Sequence, residues 1–138
     1  MALGGLLSIA KASNPDTFFQ TKTVIIPKDA SIERGGEDSA DNAERLICVA
    51  DGVGGWINRG VDSGLFSRAL TQAVLDVHEA DKSAAAKELL KYGCQSATDT
   101  NMGSATAIVL KLDGLVIESA QLGDSGFSVF RAGEDNHL

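Results

Sequence analysis

Three short islands combine a carboxylate with glycine: Gly35-Gly36-Glu37-Asp38, Val49-Ala50-Asp51-Gly52-Val53-Gly54-Gly55-Trp56, and Leu122-Gly123-Asp124-Ser125-Gly126-Phe127. An Asp at the exit of a buried strand is held rigidly, and glycine lets backbone carbonyls approach a ligand closely. Hard divalent cations take this mixture of carboxylate, carbonyl and water oxygens. An Asp-Gly pair is also an ordinary turn, and that is the better reading of Asp113-Gly114, which separates two apolar runs. It is the poorer reading of Asp51-Gly52. There the pair ends an apolar run and leads into Val53-Gly54-Gly55-Trp56, a costly composition unless backbone must come close to something. A solvated acidic face is the plain alternative for Glu37-Asp38 with Asp41.

Other reactive groups point nowhere in particular. Cys48 and Cys94 lie far apart with no Cys-x-x-Cys or Cys/His ligand spacing, and read as reduced core thiols. His78 sits inside a helical pattern and His137 at the extreme end, neither beside a second ligand type, so both read as non-catalytic.

The elements that must position the carboxylates follow from periodicity. Thr17 to Ile26 is β-rich and ends at Pro27. Asp29 to Arg45 is charged, contains Gly35-Gly36 and reads as a loop, after which Leu46 to Ala50 forms a short strand apolar on both faces. From Asp62, a candidate N-cap, to His78, the residues Leu65, Phe66, Ala69, Leu70, Ala73, Val74 and Val77 recur at helical spacing. A second amphipathic helix runs from about Ser83 to Ala97. Beyond Asn101 come two strand runs joined by Asp113-Gly114, then a further short strand, GFSVFRA, and a turn over Gly133-Glu134-Asp135-Asn136. Strands segregated from a helix pair make an α+β layered domain. Two helices cover one sheet face, so a second sheet is expected on the other.

Composition narrows the class. Hydrophobic residues at 43% and charged residues at 22% allow a folded core in one domain. The formal net charge of -7 argues against nucleic acid as a partner, since phosphate-backbone binders cluster Lys and Arg. No apolar run reaches the roughly 18 residues of a membrane span. The opening MALGGLLSIAKAS lacks a basic n-region and carries only Lys11, so residues 1–16 are set apart as a frayed or targeting segment and 17–138 as a partial domain.

The same islands in the same order resemble the metal-dependent protein phosphatases of the 2C type. GGEDS resembles that family's first acidic motif, VADGVGGW its Asp-Gly metal motif, MGSATAIVL its glycine-serine strand and LGDSGF its Gly-Asp-Ser motif. VADGVGGW followed by GVDSGLFSRAL is similar to the branch with mitochondrial and chloroplast members. The likeness runs from about Thr17 onward and matches the family's N-terminal half. It implies an antiparallel β-sandwich flanked by helices, an α-β-β-α arrangement that is incomplete here.

The resemblance further implies hydrolysis of phosphoserine and phosphothreonine in a phosphoprotein substrate. Two Mg2+ or Mn2+ ions would activate a water for in-line attack on phosphorus. Asp51 would bridge the two ions, and the Gly52 carbonyl would ligate one. Asp38 would act through metal-bound water, Glu37 likewise or in support, and Asp124 would lie near the centre and assist a third cation. Family members carry a phosphate-holding arginine five residues before the motif aspartate. Glu33 stands there and Arg34 one residue later, so Arg34 is either the substrate-binding group or a surface cation. The family's second half supplies two more metal aspartates and the strands completing the sandwich. The alternative to an enzyme is therefore an inactive phosphatase-like module whose bare sheet face a partner chain covers. The branch resemblance implies a mitochondrial location, with chloroplast or cytoplasm as alternatives.

Overall fold

The alternation of side chains along two neighbouring strands decides the architecture. In Leu46–Gly52 and Ala105–Asp113, the side chains of Leu46, Cys48, Ala50, Ala107 and Val109 join one buried cluster, and Ile47, Ile108, Leu110 and Leu112 join another. A strand buried on both faces must sit in the middle of a layered structure. The computed structural model describes residues 5–10, as backbone, and residues 17–131.

The described elements are strands β1 (Gly5–Ala10), β2 (Phe19–Val24), β3 (Asp38–Ala43), β4 (Leu46–Gly52), helices α1 (Ser63–Ala80) and α2 (Ala86–Thr100), and strands β5 (Ala105–Asp113) and β6 (Val116–Leu122). Short 3-10 turns cover Asp29–Arg34 and Gly54–Arg59. One antiparallel sheet has the order β3-β4-β5-β6, and β1 pairs antiparallel with β2 in a second, two-stranded sheet. This is the expected α+β arrangement.

Both helices lie on the first face. Phe66, Leu70 and Val74 of α1, with Ala86, Leu89, Leu90 and Ala97 of α2, are buried against Leu46, Cys48, Ala50, Ala107 and Val109. Each large apolar side chain so buried contributes about 1.5–3 kcal/mol. Asp62 does cap α1, its carboxylate accepting from the Gly64 backbone N–H at 3.0 Å. The β5–β6 hairpin turns at Asp113-Gly114, and Gly114 takes φ +57°, the left-handed angle that favours glycine.

Two expectations about which elements form are corrected. Asp29 to Arg45 is not one loop, because DSADNA forms β3 by backbone pairing to β4, although its polar side chains carry no apolar alternation. Residues 126–131 of the expected GFSVFRA strand form none, since among the described residues no strand runs beside them; Phe127, Val129 and Phe130 are 42%, 56% and 82% exposed. On the second sheet face, where a second sheet was expected, Ile47, Ile108, Leu110 and Leu112 are buried with Phe19 of β2. β1 lies within the stretch set apart as an N-terminal segment, and its pairing with β2 ties it to the rest. The second helix starts and ends three residues later than expected, and the first strand spans Phe19–Val24 rather than Thr17 to Ile26. The 133–136 turn and His137 fall outside the described residues. Among those residues no helix is long and apolar enough to cross a membrane.

Candidate active site

The site begins as a row across the sheet. Asp38 on β3 is the register partner of Asp51 on β4, and Asp51 is the register partner of Thr106 on β5. Residues opposite each other in antiparallel strands put their side chains on the same face. Here that is the face turned away from the helices, because Cys48 and Ala50 point the other way. Thr106 Oγ1 lies 2.6 Å from Ser125 Oγ, which draws the Gly123-Asp124-Ser125 island to the same end of the sheet. The three islands of the sequence are thereby brought together.

Asp38 is buried, 8% exposed, and its Oδ1 has no hydrogen-bond partner. Burial first, and the neighbouring Asp51 second, push its pKa up to about 6. When both groups are ionised, each only accepts, so neither satisfies the other; a proton shared between them would. Asp51 itself is exposed at the strand exit.

Close backbone contact holds the pair in place. The Gly52 N–H donates to the Glu37 carbonyl at 3.1 Å, fastening the end of β4 to the residue before Asp38. A Cβ at Gly52 would stand 2.5 Å from that carbonyl oxygen and 2.8 Å from Ser67 Oγ of α1, so no side chain fits. A Cβ at Gly54 would stand 2.8 Å from Glu37 Oε2, so this glycine makes room for the Glu37 carboxylate. The glycines that looked costly in sequence have their reason here. Trp56 Nε1 donates to Ser104 Oγ at 2.8 Å, anchoring the loop after β4 to the start of β5.

No family model matches the chain. A curated relative named "Probable protein phosphatase 2C 80", from Arabidopsis thaliana, is 37% identical over 111 residues, 78% of this chain and 27% of that protein. "Probable protein phosphatase 2C 1" of Oryza sativa subsp. japonica is 33% identical over 132 residues, 90% of this chain and 38% of that protein. Protein phosphatase PTC7 homolog fig of Drosophila ananassae is 33% identical over 129 residues, 86% of this chain and 39% of that protein. Among solved structures, the photosystem II phosphatase PBCP aligns with a TM-score of 0.60 at 25% identity, over 90% of this chain and 44% of that one. The chain belongs to the type 2C protein phosphatase family. It spans between 27% and 39% of the length of these three curated relatives.

The remaining residues singled out in this phosphatase 2C sequence stand differently. The Glu37 carboxylate is held by Lys28, Nζ to Oε2 3.0 Å, and that contact is the main cause raising the Lys28 pKa. Arg34 faces Asp62, Nε to Oδ1 3.9 Å, rather than Asp38 or Asp51. Asp124 is exposed, beside the bonded Ser125. Asp41 is not part of an acidic cluster with Asp38; it accepts from Thr71 Oγ1 of α1 at 2.6 Å, and Ser39 Oγ lies 2.8 Å from the same hydroxyl. Among the described residues no group of three or more His, Cys, Asp and Glu could hold a metal ion, so the described site offers a carboxylate pair rather than a full ligand set. Cys48 is a free buried thiol whose pKa burial pushes upward, which removes it as a nucleophile.

Sequence reasoning missed Lys28 and the Ser39–Thr71–Asp41 chain. Lys28 precedes Glu37 by nine residues across a 3-10 turn, a spacing with no periodic signature.

Proposed function

We propose that this chain acts in protein serine/threonine dephosphorylation, with Asp38 and Asp51 holding divalent cations that activate water against phosphoserine and phosphothreonine. The observation that carries this reading is the facing pair Asp38 and Asp51, one of them buried with an orphaned oxygen. Two like charges at that separation favour a bound cation, which would satisfy Oδ1 and relieve the repulsion between the carboxylates. The residues present fit Mg2+ or Mn2+ in that sense, with the Gly52 carbonyl, Glu37 and Asp124 as the further candidates. When bound, such ions supply a nucleophile from water at neutral pH and neutralise phosphoryl oxygens.

The chain's own residues then have defined tasks. Lys28 holds the Glu37 carboxylate over Gly54. The Gly52–Glu37 backbone bond fixes the spacing of the two aspartates. Arg34 is the candidate for the substrate phosphate. Its ion pair to Asp62 is long and solvent-screened, so a phosphate dianion competes for it readily.

A second reading, an inactive phosphatase-like module serving a larger assembly, is favoured because among the described residues no three or more His, Cys, Asp and Glu side chains are grouped to hold a metal ion. In that role the exposed Leu122, Phe127, Val129 and Phe130 are the surface for a partner chain. Mn2+ binding followed by electron paramagnetic resonance, with phosphopeptide turnover measured in Mn2+ and again in excess chelator, separates the two. Turnover that needs Mn2+ and vanishes in Asp51→Ala supports the enzyme. Mn2+ held by the wild type and lost in Asp51→Ala, without turnover, supports the module. No Mn2+ binding at all sinks the cation-centre reading.

For location we favour an organelle, mitochondrion or chloroplast. The photosystem II phosphatase among the structural neighbours supports the second. A fluorescent fusion seen only in the cytosol would overturn this.

A further inference from the structure

Helix α1 runs from the carboxylate end of the sheet to the opposite end, where a cleft of about 600 Å3 opens between the β3–β4 turn, the α1–α2 connection and the end of β5. Two buried nitrogen groups line it. His78 is 3% exposed and Lys111 is 7% exposed. The Lys111 ammonium donates to the Ala84 carbonyl at 2.7 Å, and no carboxylate lies within ion-pair distance of it among the described residues. His78 Nδ1 has no hydrogen-bond partner.

An ammonium has three donors and one backbone carbonyl takes one of them; Asp81 feels the Lys111 charge but accepts its hydrogen bonds from Ser83. An orphaned ring nitrogen beside it adds a second unmet polar group. Burial, then Lys82 and Lys111, hold the His78 pKa below its ordinary value, with Glu79 opposing. The imidazole is therefore neutral and sits in a positive field.

The charged groups around the cleft do not supply the missing partner. Glu44 and Arg45 come from the β3–β4 turn, Glu79 from α1, Lys82 from the α1–α2 connection, and Lys111 and Asp113 from β5, three of each sign. Glu79 and Lys82 pair with each other, 2.5 Å apart. Asp81, in the α1–α2 connection, is turned to Ser83, whose N–H and Oγ donate to it at 2.9 and 2.6 Å. Lys111 is itself one of those three cations, so the exposed rim carries one negative charge in excess, and the buried ammonium alone gives the floor of the cleft its positive sign. Ala84, which accepts from Lys111, precedes the start of α2 by two residues, and no side chain caps that helix start. Its partial positive charge acts in the same direction.

We propose that this cleft binds a small oxyanion, the phosphate or carboxylate group of a ligand, through Lys111 Nζ and His78 Nδ1. The site lies at the far end of α1 from Asp38 and Asp51, and its ligand is bound, not transformed.

The histidine ring resonances of the 138-residue chain report on it directly, with His137→Gln used to assign His78. Titrations with sodium phosphate, sodium succinate and sodium chloride are run at matched ionic strength with EDTA present, so that no divalent cation links phosphate to the carboxylate end. The expected result is a saturable shift of the His78 signals and a rise in its titration midpoint with phosphate or succinate, but not with chloride. Lys111→Met should weaken binding about tenfold or more, as loss of a charge-assisted hydrogen bond does. Tighter phosphate than succinate identifies a phosphate-bearing ligand, the reverse a carboxylate, and equal affinity a general oxyanion site. The proposal is overturned if the wild type shows no saturable change, if chloride reproduces it, or if a folded Lys111→Met variant binds undiminished. Should that variant fail to fold, the wild-type comparison with chloride decides alone.

Discussion

Asp38 is held where an ionised carboxylate is uncomfortable: buried, facing Asp51, with one oxygen unmatched. Its folded pKa, near 6, lies above the ordinary carboxylate value. The unfolded chain therefore loses this proton first as pH rises. The stability that Asp38 contributes is present in acid and is lost as pH climbs through about 6. Thermal midpoints in EDTA should accordingly fall from about pH 4 to about pH 6 and then level off, and Asp38→Asn should flatten that decline. Mn2+ should raise the midpoint of the wild type at pH 7 and leave Asp38→Asn and Asp51→Asn nearly unmoved, as mass action requires of a ligand bound only by the folded chain. Unchanged midpoints across this range in the wild type would contradict the assignment of a strained pair. At this scale the close backbone approach at Gly52 was legible in the sequence, because a polar pair ending an apolar run demands a reason. The separation of Asp41 from Asp38 was not, since strand parity puts residues three apart on opposite faces only once a strand is known to be there.

At the scale of elements, β4 and α1 meet without a side chain between them at Gly52. Gly52→Ala should force β4 away from Ser67 and the Glu37 carbonyl, with a cost of roughly 1–3 kcal/mol read from denaturant midpoints. The buried run Ser39–Thr71–Asp41 ties β3 to α1. Thr71→Val removes the hydroxyl at its centre and leaves buried Ser39 unpaired, so a loss of about 1–3 kcal/mol is expected by the same measurement. Thr71→Ser should recover most of it. Both helices, the capping Asp62 and the β5–β6 hairpin were readable, because their apolar periods and turn residues are local signals. β3 was not, since Asp38–Ala43 owes its strand to hydrogen bonds with β4, a partner that composition does not announce. The over-reading of 126–131 has the converse cause: alternating Phe and Val suggest a strand, yet no neighbour runs alongside them.

Across the whole molecule, α1 and α2 close one face of the central sheet while Phe19 joins the apolar residues of the other. That plan, with a second sheet over the other face, was foreseen from the doubly apolar strands; that β1 and β2 make that sheet was not, because their pairing is between residues far from any local signal. The two margins of the central sheet are unlike. β3 presents Asp41 and Asn42, polar groups that discourage other strands from adding to it. β6 ends the opposite margin with Val116 66% and Leu122 46% exposed, and the segment after it bares Phe130. Of the two margins of the central sheet this one is the more adhesive, so the polypeptide should pair or chain through it as concentration rises, against the repulsion of its net negative charge. Static light scattering should show the apparent mass growing with concentration and with added salt, and Phe130→Lys should hold it near the monomer value.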